Sequence, residues 1–262
     1  MLALVIQVGC AKAPSGSVSP LPLDAALSNK IAELVAQQRF TEAIPLAKEL
    51  VAWAETNLGA DNTNTVVALC LLAQIYENVP DFTNATSITE RVLAIRAKVL
   101  GPDHADTAAS LSALAGLYFK GGDYEKAAPL IERSLQIYEK ASGPSHPHTL
   151  TVIRNLVELY QSAGQYAKAM PHAERSLKLC EQKFGVEDAE TAAALMTLAL
   201  VHVGLGEHSQ AEVLYLRSLE ICEKTFGLAH TNTATILNHL ALNYQSMTFY
   251  EQAEPLFRKR QP

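Results

Sequence analysis

Eight histidines and four cysteines are the residues of this 262-residue chain best suited to chemistry. Imidazoles carry protons or bind metals, and thiolates attack, ligate or cross-link. Their spacing points elsewhere. His104, His146 and His230 stand at multiples of 42 residues, so they are one loop position met in three units, where a ring nitrogen bonds loop backbone. His146 and His148 flank Pro147, but no further ligands at a metal-binding spacing accompany them, and no metal site is expected. His202 takes the place of Tyr118 and Tyr160 and is expected in the core. Cys180 and Cys222 are also 42 apart. Matching points on stacked helices lie ~9–10 Å from each other, beyond disulfide reach, so both are expected as free thiols. There is no nucleophile elbow, phosphate loop, metalloprotease His-Glu motif or glycine-rich dinucleotide turn. Catalytic residues and cofactors are therefore not assigned. An enzyme-associated or sensor fragment remains the alternative from another class, with only generic carboxylates and histidines behind it.

The same 42-residue step runs through most of the chain. Gly59, Gly101, Gly143, Gly185 and Gly227 keep it, as do Thr65, Thr107, Thr149, Thr191 and Thr233. A third series is Ala43, Ala85, Ala127, Ala169, Ala211 and Ala253; a fourth is Phe40, Phe82, Tyr124, Tyr166, His208 and Tyr250. Segments 58–99, 100–141, 142–183 and 184–225 are full units, 24–57 is a degenerate first unit, and 226–262 is an incomplete last one. Residues 1–23 form an apolar segment and a Pro/Ser/Gly-rich linker. With 48% hydrophobic residues the chain can bury a core, and a net charge of −6 disfavours nucleic acid as a partner. No apolar run reaches the ~20 residues of a membrane-spanning helix.

Each unit reads as two helices. In 100–141 the cluster Gly101-Pro102-Asp103 breaks the chain, and Asp106 or Thr107 is the expected N-cap. Leu111, Leu114, Ala115 and Tyr118 recur at helical spacing; Gly121-Gly122-Asp123 separates them from a second stripe of Tyr124, Ala127, Ile131, Leu135 and Tyr138. A pair this small cannot bury both stripes alone, so pairs must stack into a solenoid. The alanine series lets paired helices approach closely, and the aromatic series fills space near the turn. Pro45, Pro129, Pro171 and Pro255 are expected near second-helix starts, where a missing N–H costs least.

Leu111, Leu114, Ala115, Tyr118, Ala127 and Ile131 resemble the large/Leu/small/aromatic/Ala/aliphatic signature of tetratricopeptide repeats. The usual period is 34. The 42-residue period, and loops such as Gly143-Pro144-Ser145-His146-Pro147-His148-Thr149, are similar to kinesin-light-chain-type repeats, also found in bacterial proteins. The resemblance covers roughly residues 24–262. It implies an all-α right-handed superhelical solenoid of antiparallel helix pairs acting as a non-catalytic scaffold for a protein or peptide ligand. Two adjacent asparagines common in kinesin light chains are replaced at most units, where only Asn155 and Asn238 survive. The Lys and Asn set with which some members clamp a carboxylate tail is missing.

In tetratricopeptide arrays the first helices line a concave groove. That register places Gln74 and Glu77 in the first full unit, Lys120 in the second, Arg154, Glu158 and Gln161 in the third, Met196 and Leu200 in the fourth, and Asn238 and Gln245 in the fifth. The expected ligand is an extended or helical peptide with an apolar anchor at Met196 and Leu200, and with Arg154 and Gln161 meeting its backbone or an acidic group. The structural alternative has Met196 and Leu200 packing on neighbouring helices and Arg154 pairing with Glu158 one turn on.

Residues 1–9 precede Cys10 as the end of a bacterial lipoprotein signal precedes its lipidated cysteine, although no basic n-region stands before them. Two readings stay open: a lipid-anchored envelope assembly factor, or a cytoplasmic protein with an apolar tail. The last unit lacks a polar capping helix, which leaves self-association through it as a further expectation.

Overall fold

The computed structural model describes residues 24–259. They form twelve α-helices, with no strand among the described residues. By their contacts they fall into two compact units that divide between Ser142 and Gly143. The first contains α1 (Ala25–Ala36), α2 (Phe40–Leu58), α3 (Thr63–Asn78), α4 (Phe82–Val99), α5 (Ala105–Lys120) and α6 (Tyr124–Ser142). The second contains α7 (Pro147–Ser162), α8 (Tyr166–Phe184), α9 (Ala189–Gly204), α10 (His208–Phe226), α11 (Thr231–Ser246) and α12 (Tyr250–Lys259). Odd-numbered helices are the first members of each pair and even-numbered ones the second.

The glycine and threonine series turn out to be two ends of one hydrogen bond. At all five places the threonine hydroxyl, in the first turn of a first helix, donates to the carbonyl of the glycine six residues earlier, at 2.7–2.8 Å. The glycines hold φ between 82° and 101°, a region where a Cβ is strained. The threonines are buried, so the bond closes the interhelix loop over a satisfied polar group.

The helix start differs from the expected one. His104, not Asp106 or Thr107, caps α5: its Nδ1 accepts from the Asp106 N–H at 3.1 Å. His146 and His230 do the same for α7 and α11, and Asn62 and Asp188 take this place for α3 and α9. Extended φ/ψ at this residue aims its acceptor at the first free N–H groups, which Asp106, already inside the helix, cannot do. The loop histidines thus bond backbone, as their period implies. Burial, with His148 and Lys183 nearby, lowers the pKa of His146 and favours the neutral ring that can accept.

The alanine series is buried in every pair, with Ala43, Ala85, Ala127, Ala169 and Ala211 fully buried and Ala253 nearly so. The aromatic series opens every second helix. Within it Tyr166 packs on Gly204, and His208 replaces the ring contact by a polar one. Its Nδ1 lies 2.8 Å from Asn243 Oδ1, while Asn243 Nδ2 donates to the His208 carbonyl at 2.9 Å. Pro45, Pro129, Pro171 and Pro255 stand near the second-helix starts, each as the sixth residue, so each removes one intrahelical hydrogen bond. All four lie on the exposed side, where water can reach the carbonyl left unpaired.

The apolar stripes meet inside. In the first unit Ile31, Leu50, Leu69 and Ile75 centre one cluster, against which Trp53 packs. In the second, Leu195, Tyr215, Leu237 and Leu240 centre another built from α9, α10 and α11. His202 is part-buried rather than in the core, because its ring nitrogen Nδ1 turns to Glu207 Oε2, 2.6 Å away.

Candidate interaction face of the first helices

The expected ligand-contacting residues fall on the first helices of both units, and each unit holds its own set. In the first unit, Gln74 on α3 is exposed. Glu77 on α3 and Lys120 on α5 form a salt bridge across the two helices. The Glu77 side chain is only 12% exposed, so its charge is already met by a neighbour rather than held out to solvent.

In the second unit Arg154 reaches across to the next first helix. Its Nη2 donates to Glu190 Oε2 at 2.5 Å and to Cys180 Sγ at 3.5 Å. This replaces the expected pairing with Glu158. Glu190 stands in the first turn of α9 and meets the guanidinium directly. Burial by itself would lower the Arg154 pKa; the bonds to Glu190 and Cys180 outweigh it and raise it. Gln161 Nε2 donates to the Thr197 carbonyl at 3.4 Å and adds a second tie between α7 and α9.

Glu158, one turn after Arg154, is left part-buried without a cation among the described residues. Desolvation pushes its carboxyl pKa up. The apolar anchor is corrected too. Met196 is 9% exposed and belongs to the core cluster of α9, α10 and α11, where its side chain fills space between helices. Leu200 is part-buried and packs against the same cluster. The apolar surface in this register lies one helix further on, at Leu242 of α11, which is 45% exposed. Asn238 is part-buried and Gln245 exposed. Cys180 and Cys222 are buried free thiols. Cys10 lies outside the described residues.

Sequence reasoning did not name Glu190 or Asn243 as residues that matter. A faint signal exists for Glu190: the place just before each periodic threonine holds Asn64, Asp106, His148, Glu190 and Asn232, always polar and in the first helical turn. Among the described residues no three His, Cys, Asp or Glu side chains gather as a metal site, and no helix is long and apolar enough to cross a membrane.

Antiparallel helix pairs, stacked through a small-residue contact and stapled at each loop, define a helical repeat scaffold. The chain belongs to the tetratricopeptide repeat family, whose profile matches residues 81–140, 114–182 and 190–260. The 42-residue unit makes its repeats kinesin-light-chain-like. The solved kinesin light chain nearly identical TPR-like repeats of Podosopora anserina match at a TM-score of 0.70 and 24% identity, over 77% of this chain and 96% of that one. BtubC (BKLC) from P. vanneervenii matches at 0.66 and 21%, over 90% of each chain. YrrB, a TPR protein with an unusual peptide-binding site, matches at 0.50 and 13%, over 80% of this chain and 89% of that one. At these identities the likeness is one of fold. No curated protein matches the chain. Proteins of this fold are generally non-catalytic interaction scaffolds.

Proposed function

We propose that the chain is a scaffold that holds a protein segment on the face of its first helices, as a peptide in a groove. The observation that carries this reading is the contrast along that face in the second unit. The first helices α7, α9 and α11 keep part-exposed Glu158, Leu200 and Leu242 in one register, 42 residues apart. Polar groups beside apolar ones on a rigid surface suit an extended or helical peptide, whose backbone needs partners and whose side chains need pockets. Arg154 and Gln161 serve here as struts between α7 and α9, so they shape the face more than they contact a ligand.

The test is cross-linking and mass spectrometry of partners captured in cells. Leu242→Asp with Gln245→Glu alters the face at exposed positions. Val213→Asp on α10, 66% exposed, is the control on a second helix. A partner lost with the first variant and kept with the second supports the reading. A partner lost only with Val213→Asp moves the interface to the second helices and overturns it.

A further inference from the structure

The three first helices of the second unit carry few formal charges. Among Lys, Arg, Asp and Glu they hold only Arg154, Glu158 and Glu190. Arg154 and Glu190 neutralise each other. What remains is one part-buried carboxylate, Glu158, with no cation against it among the described residues. In the first unit Lys120 and Glu77 pair across α3 and α5. A half-desolvated charge with no partner is costly for a fold to keep unless something meets it.

The register of that carboxylate continues as Leu200 on α9 and Leu242 on α11. Neighbouring packed helices lie ~10 Å apart, and an extended peptide advances ~3.3 Å per residue, so one helix step equals about three residues. We propose that this face takes an extended protein segment with one Arg or Lys seated against Glu158 and apolar side chains about three and about six residues away over Leu200 and Leu242. The inference rests on the groove reading above and adds the ligand's chemistry: a single cation at one end, followed by an apolar pair at a fixed step. Charge complementarity selects the cation, and the 45% exposure of Leu242 gives the far apolar side chain a surface to cover.

The experiment is selection from a degenerate library of peptides about ten residues long, enough to cross ~20 Å when extended. The full chain and its Glu158→Gln, Glu158→Lys and Leu242→Asp variants are the baits, each first checked for helicity and cooperative melting. Glu158→Gln keeps the shape and removes only the charge. The wild type is expected to enrich Arg or Lys with apolar residues at the stated step. The best such peptide, synthesised, should bind Glu158→Gln roughly tenfold more weakly, the loss of one partly desolvated charge pair. Glu158→Lys should enrich acidic residues instead. Peptides that need Leu242 but carry no basic residue, or that bind Glu158→Gln unchanged, overturn this inference and leave the groove reading standing. Failure to enrich any peptide, or enrichment indifferent to Glu158 and Leu242 alike, overturns both. A solution mass that rises with concentration and falls on Glu158→Gln would seat a second copy of the chain there and overturn it as well.

Discussion

The hydroxyl of Thr191 donates to the carbonyl of Gly185 at 2.7 Å, and four further repeats make the same bond. It ties the loop after a second helix to the first turn of the next first helix. Thr191 is fully buried and Gly185 is exposed, so the bond forms at the margin of the core. Thr191→Val, nearly isosteric, should cost about 1 kcal/mol by removing the net contribution of this bond. Gly185→Ala meets no atom within 4 Å, yet φ is +100° there. Its cost should be about 1–3 kcal/mol and purely conformational. Chemical denaturation of the two variants checks both; a neutral Gly185→Ala would mean that the loop relaxes freely.

Gly204, the last residue of α9, lies against Tyr166, and an added Cβ would overlap ring atoms Cγ, Cδ1 and Cε1. Gly204→Ala should destabilise by about 1–3 kcal/mol in the native chain. In a Tyr166→Ala background the same change should be neutral or stabilising by up to about 1 kcal/mol, since Ala favours helix over Gly. A double-mutant cycle by denaturation measures the sign change. Equal effects in both backgrounds would place the strain elsewhere.

Burial raises the Glu158 carboxyl pKa above its ordinary value, so the folded chain holds this proton more tightly than the unfolded one. The neutral form is the one the fold favours. Relative to a group with no shift, stability from this residue is present below the unfolded pKa and is lost as pH rises through the folded pKa. Glu158→Gln should consequently melt higher than wild type near neutral pH. The gap should close below the ordinary carboxylate range. A gap that is independent of pH would assign the effect to packing.

Met196 and Leu242 were both candidates for apolar contact on the first-helix face by period alone, and they should now respond oppositely to charge. Met196→Asp puts a carboxylate into the α9–α11 core and should cost more than about 3 kcal/mol or prevent folding. Leu242→Asp, at an exposed site, should change stability by no more than about 0.5 kcal/mol. Circular dichroism melts of the two proteins decide it.

The helix pairs, their order and their inward faces were legible before any coordinates. A repeat must bury the same stripe against each neighbour, so Ala43 through Ala253 and Gly59 through Gly227 mark the same contact wherever they recur. The caps were less legible. His104 and Asp106 are both plausible by type, and only backbone dihedrals show that His104 stands outside the helix with its acceptor turned in. The prolines fall near the second-helix starts as expected, and only the structure shows that they stand just past the first turn, since the period locates them relative to one another and not relative to the helix start.

The fold and its 42-residue unit could be read from the chain, because they depend on local propensity and on contacts repeated between successive units. Which first-helix residues stay available at the surface is settled by packing between helices. Arg154 meets Glu190, 36 residues away on the next first helix, and not Glu158 on its own. Met196 turns into the core while Leu242 stays open. These outcomes depend on how individual side chains fill the space between packed helices, and a spacing along the chain does not record that.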